Sequence, residues 1–199
     1  RKRRLYGWPR YQLDFPLSCS GGFAQWKSTC LCSIVNLCCR NKTMKHALTI
    51  DVEDFFHVSA FSKVISPEQW SSIDGGRVLA NTEKLLRMFK ERNQNATFFV
   101  LGWVAEKYPE LIKQIHVEGF EIASHGWSHQ LVYKQTEEEF YNETKRSKQC
   151  LEDLVGKPIR GYRAASYSIT SESAWALDIL ADLGIEYDSS LFPVKHDVY

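Results

Sequence analysis

No stretch of this 199-residue sequence is long and apolar enough to cross a bilayer: Leu31 to Cys39 falls well short of the ~20 residues a spanning helix needs. An apolar core behind the basic start is missing too. Arg1 to Arg4 lead into Trp8, Pro9 and Asp14, a poor fit to an export signal. Cysteine is scarce beyond residue 43, where only Cys150 occurs; Cys19, Cys30, Cys32, Cys38 and Cys39 all precede it. None of those five pairs across the two-residue gap usual in zinc knuckles, which argues against a structural zinc there. The lone Cys150 suits a reducing compartment, so the expected location is cytoplasmic. Basic excess is lacking as well. From Met44 onward, 17 Lys and Arg stand against 23 Asp and Glu, a net of −6, with no basic stripe to bind nucleic acid.

What remains is the composition of a globular protein, 44% hydrophobic and 25% charged, at a length that suits one domain with its own core. Residues 1–43 read as a different kind of sequence. They hold eight Lys and Arg against one acid, Asp14, and show no sustained period. Met44 directly precedes the first clean strand, so the expectation is that Met44 is the native start and that 1–43 is upstream sequence. The alternative is a disordered basic tail that binds something acidic.

From Met44 strands alternate with helices. Strands are expected at 46–51, 96–100, 120–124, 159–165 and 185–190. Helical spacing of Val78, Thr82, Leu85, Leu86 and Phe89 predicts a helix over 77–91. Pro109 starts a second helix that Gly119 stops; Thr136 and Glu139 form a capping box for a third that Gly156 closes; the last runs over 171–184. This order implies a parallel α/β sheet, either open or part of a barrel. In such folds sites gather at the carboxyl ends of strands. Asp51, Glu53, Asp54, His125, His129, Arg163 and Asp188 all fall at such ends.

The stretch "ALTIDVEDFFHV" crowds Asp51, Glu53 and Asp54 at the end of an apolar run, where mutual repulsion calls for a cation. In "SHGWSH", His125 and His129 stand four apart, so both rings can face one side of a turn or short helix. Two imidazoles and one carboxylate make an open metal site with room for water, whose pKa falls from about 16 towards roughly 7. A second carboxylate then serves as general base. Arg163, in "GYRAAS", reads either as a structural partner for an acid or as the cation that aims that base.

Five stretches in order, "LTIDVEDFFHV", "NATFFVLGWVAEKYP", "GFEIASHGWSHQLVY", "GYRAASYSIT" and "YDSSLFP", resemble the NodB-type polysaccharide deacetylases, carbohydrate esterase family 4. The similarity is strongest to the branch found beside bacterial exopolysaccharide and exosortase loci, and it covers Met44 to Tyr199. It implies a distorted (β/α) barrel that removes acetyl groups from N-acetylated polysaccharides or oligosaccharides with a divalent metal, usually zinc. Residue by residue, it implies Asp51 as catalytic base, Arg163 as the residue orienting it, and His125 and His129 as metal ligands. The third ligand stays open between Glu53, which strand alternation puts on the side of Asp51, and Asp54, the shorter acid. The resemblance also implies an oxyanion donor among the amides of Ala165 to Tyr167, and Ala165 stands where the family's motif has proline. Trp103, Trp127, Tyr133 and Tyr167 are candidates to stack on sugars, with Trp127 and Tyr167 as the substrate-binding choices. The family's acid histidine lies on a later strand, so the domain is expected to be truncated at its carboxyl end; His196 belongs to an earlier segment. Two other readings compete: hydrolysis of a small cyclic amide or ureide, and a non-catalytic carbohydrate-binding relic of the fold.

Overall fold

The computed structural model describes residues 46–191. The expected extension 1–43, its boundary at Met44, and His196 lie outside them. Among the described residues, five short strands form one parallel sheet: β1 (Thr49–Val52), β2 (Thr97–Val100), β3 (Glu121–Ser124), β4 (Gly161–Tyr162) and β5 (Tyr187–Asp188). Their order in space is their order in sequence. A doubly wound sheet reverses its strand order at a switch point; this one does not reverse, as in one arc of a β/α barrel.

Among the described residues six α-helices accompany the sheet: α1 (Trp70–Ile73), α2 (Arg77–Glu91), α3 (Gly102–Lys107), α4 (Pro109–Val117), α5 (Glu137–Val155) and α6 (Trp175–Asp182). No helix among the described residues is long and apolar enough to cross a membrane. α2 keeps the predicted bounds and buries Val78, Thr82, Leu86 and Phe89. The capping box is formed at α5: Thr136 Oγ1 accepts from Glu139 N, while the Glu139 carboxylate accepts from Thr136 N at 2.7 Å. Gly156 ends that helix in the left-handed region at φ +66°, where a side chain would be strained.

The pleat sorts the strands' side chains. Val52, Phe98, Val100 and Ile122 join Leu86, Val104, Ile112, Ile115 and Leu151 in the buried layer between sheet and helices. Asp51, Phe99 and Ala123 are register partners one position out of phase, so they share the opposite face. β4 and β5 are two residues each, far shorter than expected, because the chain leaves the ladder at once to build the loops of the rim.

Close backbone approach sets one further constraint. A Cβ at Gly102 would overlap Cε3 of the Trp127 ring, while Gly102 N donates to Gly126 O at 2.8 Å. Replacing Gly102 with Ala therefore pushes Trp127, and with it the 125–129 loop. The expected cost is about 1–3 kcal/mol, the range of an overpacked core. Urea denaturation would read it, and an unchanged midpoint would contradict this packing.

Candidate functional site

Val52 is locked into the core, so alternation along the end of β1 turns Asp51 and Glu53 to the same side. Asp54 turns away. Its carboxylate accepts from Phe55 N at 2.7 Å, capping the 3₁₀ turn Phe55–His57, and lies 3.5 Å from Arg77 Nη2. The structure therefore brings Glu53 and not Asp54 to the histidines. Asp54 is spent on the turn that follows the strand.

Ser124 of "SHGWSH" ends β3, and the rest of the segment, 125–129, is a loop with no helix in it. His125 N continues the ladder by donating to Val100 O at 2.9 Å, and Trp103 N donates to Trp127 O at 3.1 Å, which ties the loop to the start of α3. Gly126 and His129 both take positive φ, +75° and +54°. Left-handed backbone at a non-glycine residue is held by its surroundings. Here Ser128 Oγ donates to Glu143 of α5 beside it. The two imidazoles end up buried with centroids 5.3 Å apart.

Glu53 Oε2 faces both rings, 3.0 Å from His129 Nε2 and 3.8 Å from His125 Nε2, and the three ligand atoms lie within 4.8 Å of one another. Ligand atoms about 2.0–2.2 Å from one tetrahedral ion stand about 3.4 Å apart, so these separations straddle that value. Glu53 Oε2 is buried, and apart from these two imidazole nitrogens it has no polar partner, which leaves it open to an ion held between them. The tautomer of His125 also fits. Its Nδ1 lies 2.7 Å from Arg163 O, a backbone carbonyl that can only accept, so Nδ1 carries the proton and the Nε2 lone pair faces the site. Burial lowers the His125 pKa, against the pull of Asp51 and Glu53, and keeps the ring neutral. Burial resists ionisation of Glu53, yet His129, His125 and His57 outweigh it and the pKa is lowered.

Next to this group, Asp51 Oδ1 accepts from Arg163 Nη1 at 2.6 Å. Arg163 is buried and held at both terminal nitrogens, though its Nε has no hydrogen-bond partner: Nη2 donates to Thr49 Oγ1 at 3.0 Å and to Ser189 Oγ at 2.9 Å, and the guanidinium lies 4.0 Å from the Phe99 ring centroid. After it, Ala164 N donates to Ser190 Oγ at 2.7 Å, and Ser190 Oγ donates to Asp188. Asp188 thus serves the loop and is turned to Ser190. Ser166 and Tyr167 follow in left-handed conformations, φ +49° and +54°. Tyr167 N already donates to Ala164 O at 3.2 Å, which narrows the expected oxyanion donor to Ala165 or Ser166.

Two aromatic candidates fail on geometry. Trp127 is buried, pressed on Gly102 and covered by the Arg146 guanidinium 3.4 Å from its ring centroid, so it offers no face to a sugar. Trp103 packs edge-on against His57 and Trp70. Tyr167, beside Arg163, and Tyr133 are exposed.

Sequence reasoning passed over His57, four residues after Glu53 in the same quoted stretch. Its Nδ1 accepts from Asp54 N at 2.8 Å, which fixes the turn that aims Glu53. Burial lowers its pKa to about 4, with Glu53 and Asp54 pulling the other way. The folded value lies below the usual ~6.5, so its contribution to stability is full above pH ~6.5 and is lost as pH falls towards 4. In metal-free protein we expect a loss of about 2–3 kcal/mol over that window, at 1.36 kcal/mol per unit. His57→Asn, which can still accept from Asp54 N, should flatten it. Denaturant titrations at pH 7 and 4.5 check both; equal slopes for the two proteins would rule His57 out.

The family model described as Polysaccharide deacetylase matches residues 68–187, more than half of the chain. That span holds His125, His129 and Arg163 and begins after Asp51 and Glu53. A peptidoglycan-N-acetylglucosamine deacetylase of Bacillus cereus is 39% identical over 85 residues, 43% of this chain and 31% of its own length. A chitooligosaccharide deacetylase of Azorhizobium caulinodans is 27% identical over 109 residues, 55% of this chain and 50% of its own. The crystal structure of a Mycobacterium smegmatis protein described as a polysaccharide deacetylase superposes with a TM-score of 0.60 at 29% identity, covering 73% of this chain and 50% of that one. The matched segments thus span half or less of these relatives.

Proposed function

Because the chain belongs to the polysaccharide deacetylase family, we propose that it is a metal-dependent hydrolase that removes N-acetyl groups from an N-acetylated polysaccharide or oligosaccharide. The observation that carries this is the meeting of Glu53, His125 and His129 beside an Asp51 held by a buried arginine. A divalent ion held by those three side chains, for which zinc is our choice on the donor set, would supply Lewis acidity at the amide carbonyl and water of lowered pKa.

The chain's own groups do the rest. Arg163 occupies Asp51 Oδ1, which leaves Oδ2 to take the proton of the attacking water. Thr49, Ser189 and Phe99 keep Arg163 from following substrate or solvent, so the base stays aimed. The amides of Ala165 and Ser166 lie in the loop pinned through Ser190, placed to donate to the carbonyl oxygen as charge develops on it. Tyr167 offers an exposed ring to a sugar face.

The relatives named for peptidoglycan N-acetylglucosamine and chitooligosaccharide support an N-acetylated sugar as the substrate class. Within that class, our choice is an exopolysaccharide, on the resemblance of the five ordered stretches to the exopolysaccharide-associated branch. The test is acetate release from N-acetylglucosamine oligomers by zinc-loaded protein, with a chelated control. Folded, metal-loaded protein that releases none would sink the reading.

A further inference from the structure

The segment Ser124 to Gln130, which carries both imidazoles, meets one face of α5 in reverse order. Ser147 Oγ lies 2.9 Å from Ser124 Oγ, and Ser124 Oγ also accepts from Gly126 N at 3.2 Å. The Arg146 guanidinium covers the Trp127 ring. Glu143 Oε1 accepts from Ser128 Oγ and, at the outer limit of 3.5 Å, from Gln130 Nε2. Positions 146 and 147 follow 143 at helical spacing, so the three share that face. Each histidine is therefore bracketed. Ser124 and Gly126 flank His125, and Ser128 and Gln130 flank His129.

Glu143 adds little to the packing of α5. The buried stripe of that helix is Phe140, Thr144, Ser147 and Leu151, and Glu143 sits half-buried at its border. Burial raises the pKa of this carboxyl against the pull of Ser128 and Arg146, so a leucine would be easier to bury there. What the carboxylate does touch is the residue on either side of His129. That is where the loop needs support. His129 takes φ +54°, which a non-glycine residue keeps only where its surroundings impose it, and no helix spaces it from His125. We propose that Glu143 is a positioning residue of the candidate metal centre: it holds the backbone around His129 so that Nε2 stays turned to Glu53. Ser147, one turn along α5, anchors the His125 end through Ser124. An ion then meets ligands already in place, and no binding energy goes into ordering the loop. The assignment rests on the metal-site reading, since it presumes that Glu53, His125 and His129 share one ion.

The test compares the Zn²⁺ affinities of full-length variants by competition with a chelating dye, with circular dichroism establishing that each folds. Glu143→Leu removes the acceptor and keeps the bulk of the side chain, whereas Glu143→Gln keeps an oxygen for Ser128 Oγ. Ser128→Ala removes the same bond from the loop side, and reads it even if Glu143→Leu does not fold. Glu143→Leu and Ser128→Ala are each expected to weaken binding about 10–100-fold, the range for partners one shell beyond the ligands. Glu143→Gln should lose no more than a few-fold. The double variant Glu143→Leu with Ser128→Ala should lose no more than the larger single loss, because both changes break one bond. A purely structural Glu143 would shift the urea midpoint and leave the affinity of the folded protein unchanged, a result that overturns the proposal. Additive losses in the double variant overturn it as well. Folded wild-type protein that binds no divalent ion sinks the metal-site reading and this proposal with it, an outcome the wild type alone distinguishes from the other two.

Discussion

Glu53→Gln is expected to weaken divalent-metal binding by at least ~100-fold, while Asp54→Asn leaves it within a few-fold. Removing partners one shell further out typically costs 10–100-fold in affinity, so loss of a direct carboxylate ligand should cost no less. Glu53 Oε2 stands 3.0 Å and 3.8 Å from the two imidazole nitrogens, and glutamine would put a weaker neutral ligand or an amide donor there. Asp54 faces the other way, and asparagine can keep its cap on Phe55 N. What Asp54→Asn gives up is the 3.5 Å contact of its buried carboxylate with Arg77, which touches neither Glu53 nor the histidines. Competition against a chelating dye reads both constants. Equal losses in the two variants would mean that the turn as a whole, and not Glu53 itself, holds the ion.

The second large effect is expected at Asp51. Asp51→Asn should lower kcat by about 10²–10⁴, the usual worth of a positioned general base, with metal stoichiometry retained. Asparagine preserves the acceptor for Arg163 Nη1, so the buried network of Arg163 with Thr49 and Ser189 stays in place. Only the ability to take a proton is lost. A variant that keeps its kcat would assign the base elsewhere; one that loses its metal would make Asp51 a ligand.

Much of this was legible in order along the chain. The α2 helix shows its period in Val78, Thr82, Leu86 and Phe89, and Thr136 and Glu139 announce α5, because helix spacing and capping act over a few residues. The two terminal strands were overdrawn. After β4 the apolar Ala164 and Ala165 continue past the point where the backbone leaves the ladder, and Arg163, Ser189 and Ser190 are spent on side-chain bonds at the rim. Trp127 looked like a sugar platform because an aromatic between two histidines reads the same whether it faces solvent or Gly102. His57 was passed over since nothing local tells a buried histidine that accepts from a backbone amide from an exposed one.

By itself, then, the sequence determined the alternation of strands and helices, the side of β1 on which Asp51 and Glu53 fall, and the acids and imidazoles from which a metal site could be built. These follow from periodicity and short-range bonding, which a single segment carries within it. Only the tertiary structure decided that Glu53 meets His125 and His129 while Asp54 caps a turn, that Arg163 crosses to Asp51, and that Trp127 is core. Those outcomes depend on which faces of separate strand ends pack at one rim, and contacts between distant segments leave no period in the chain.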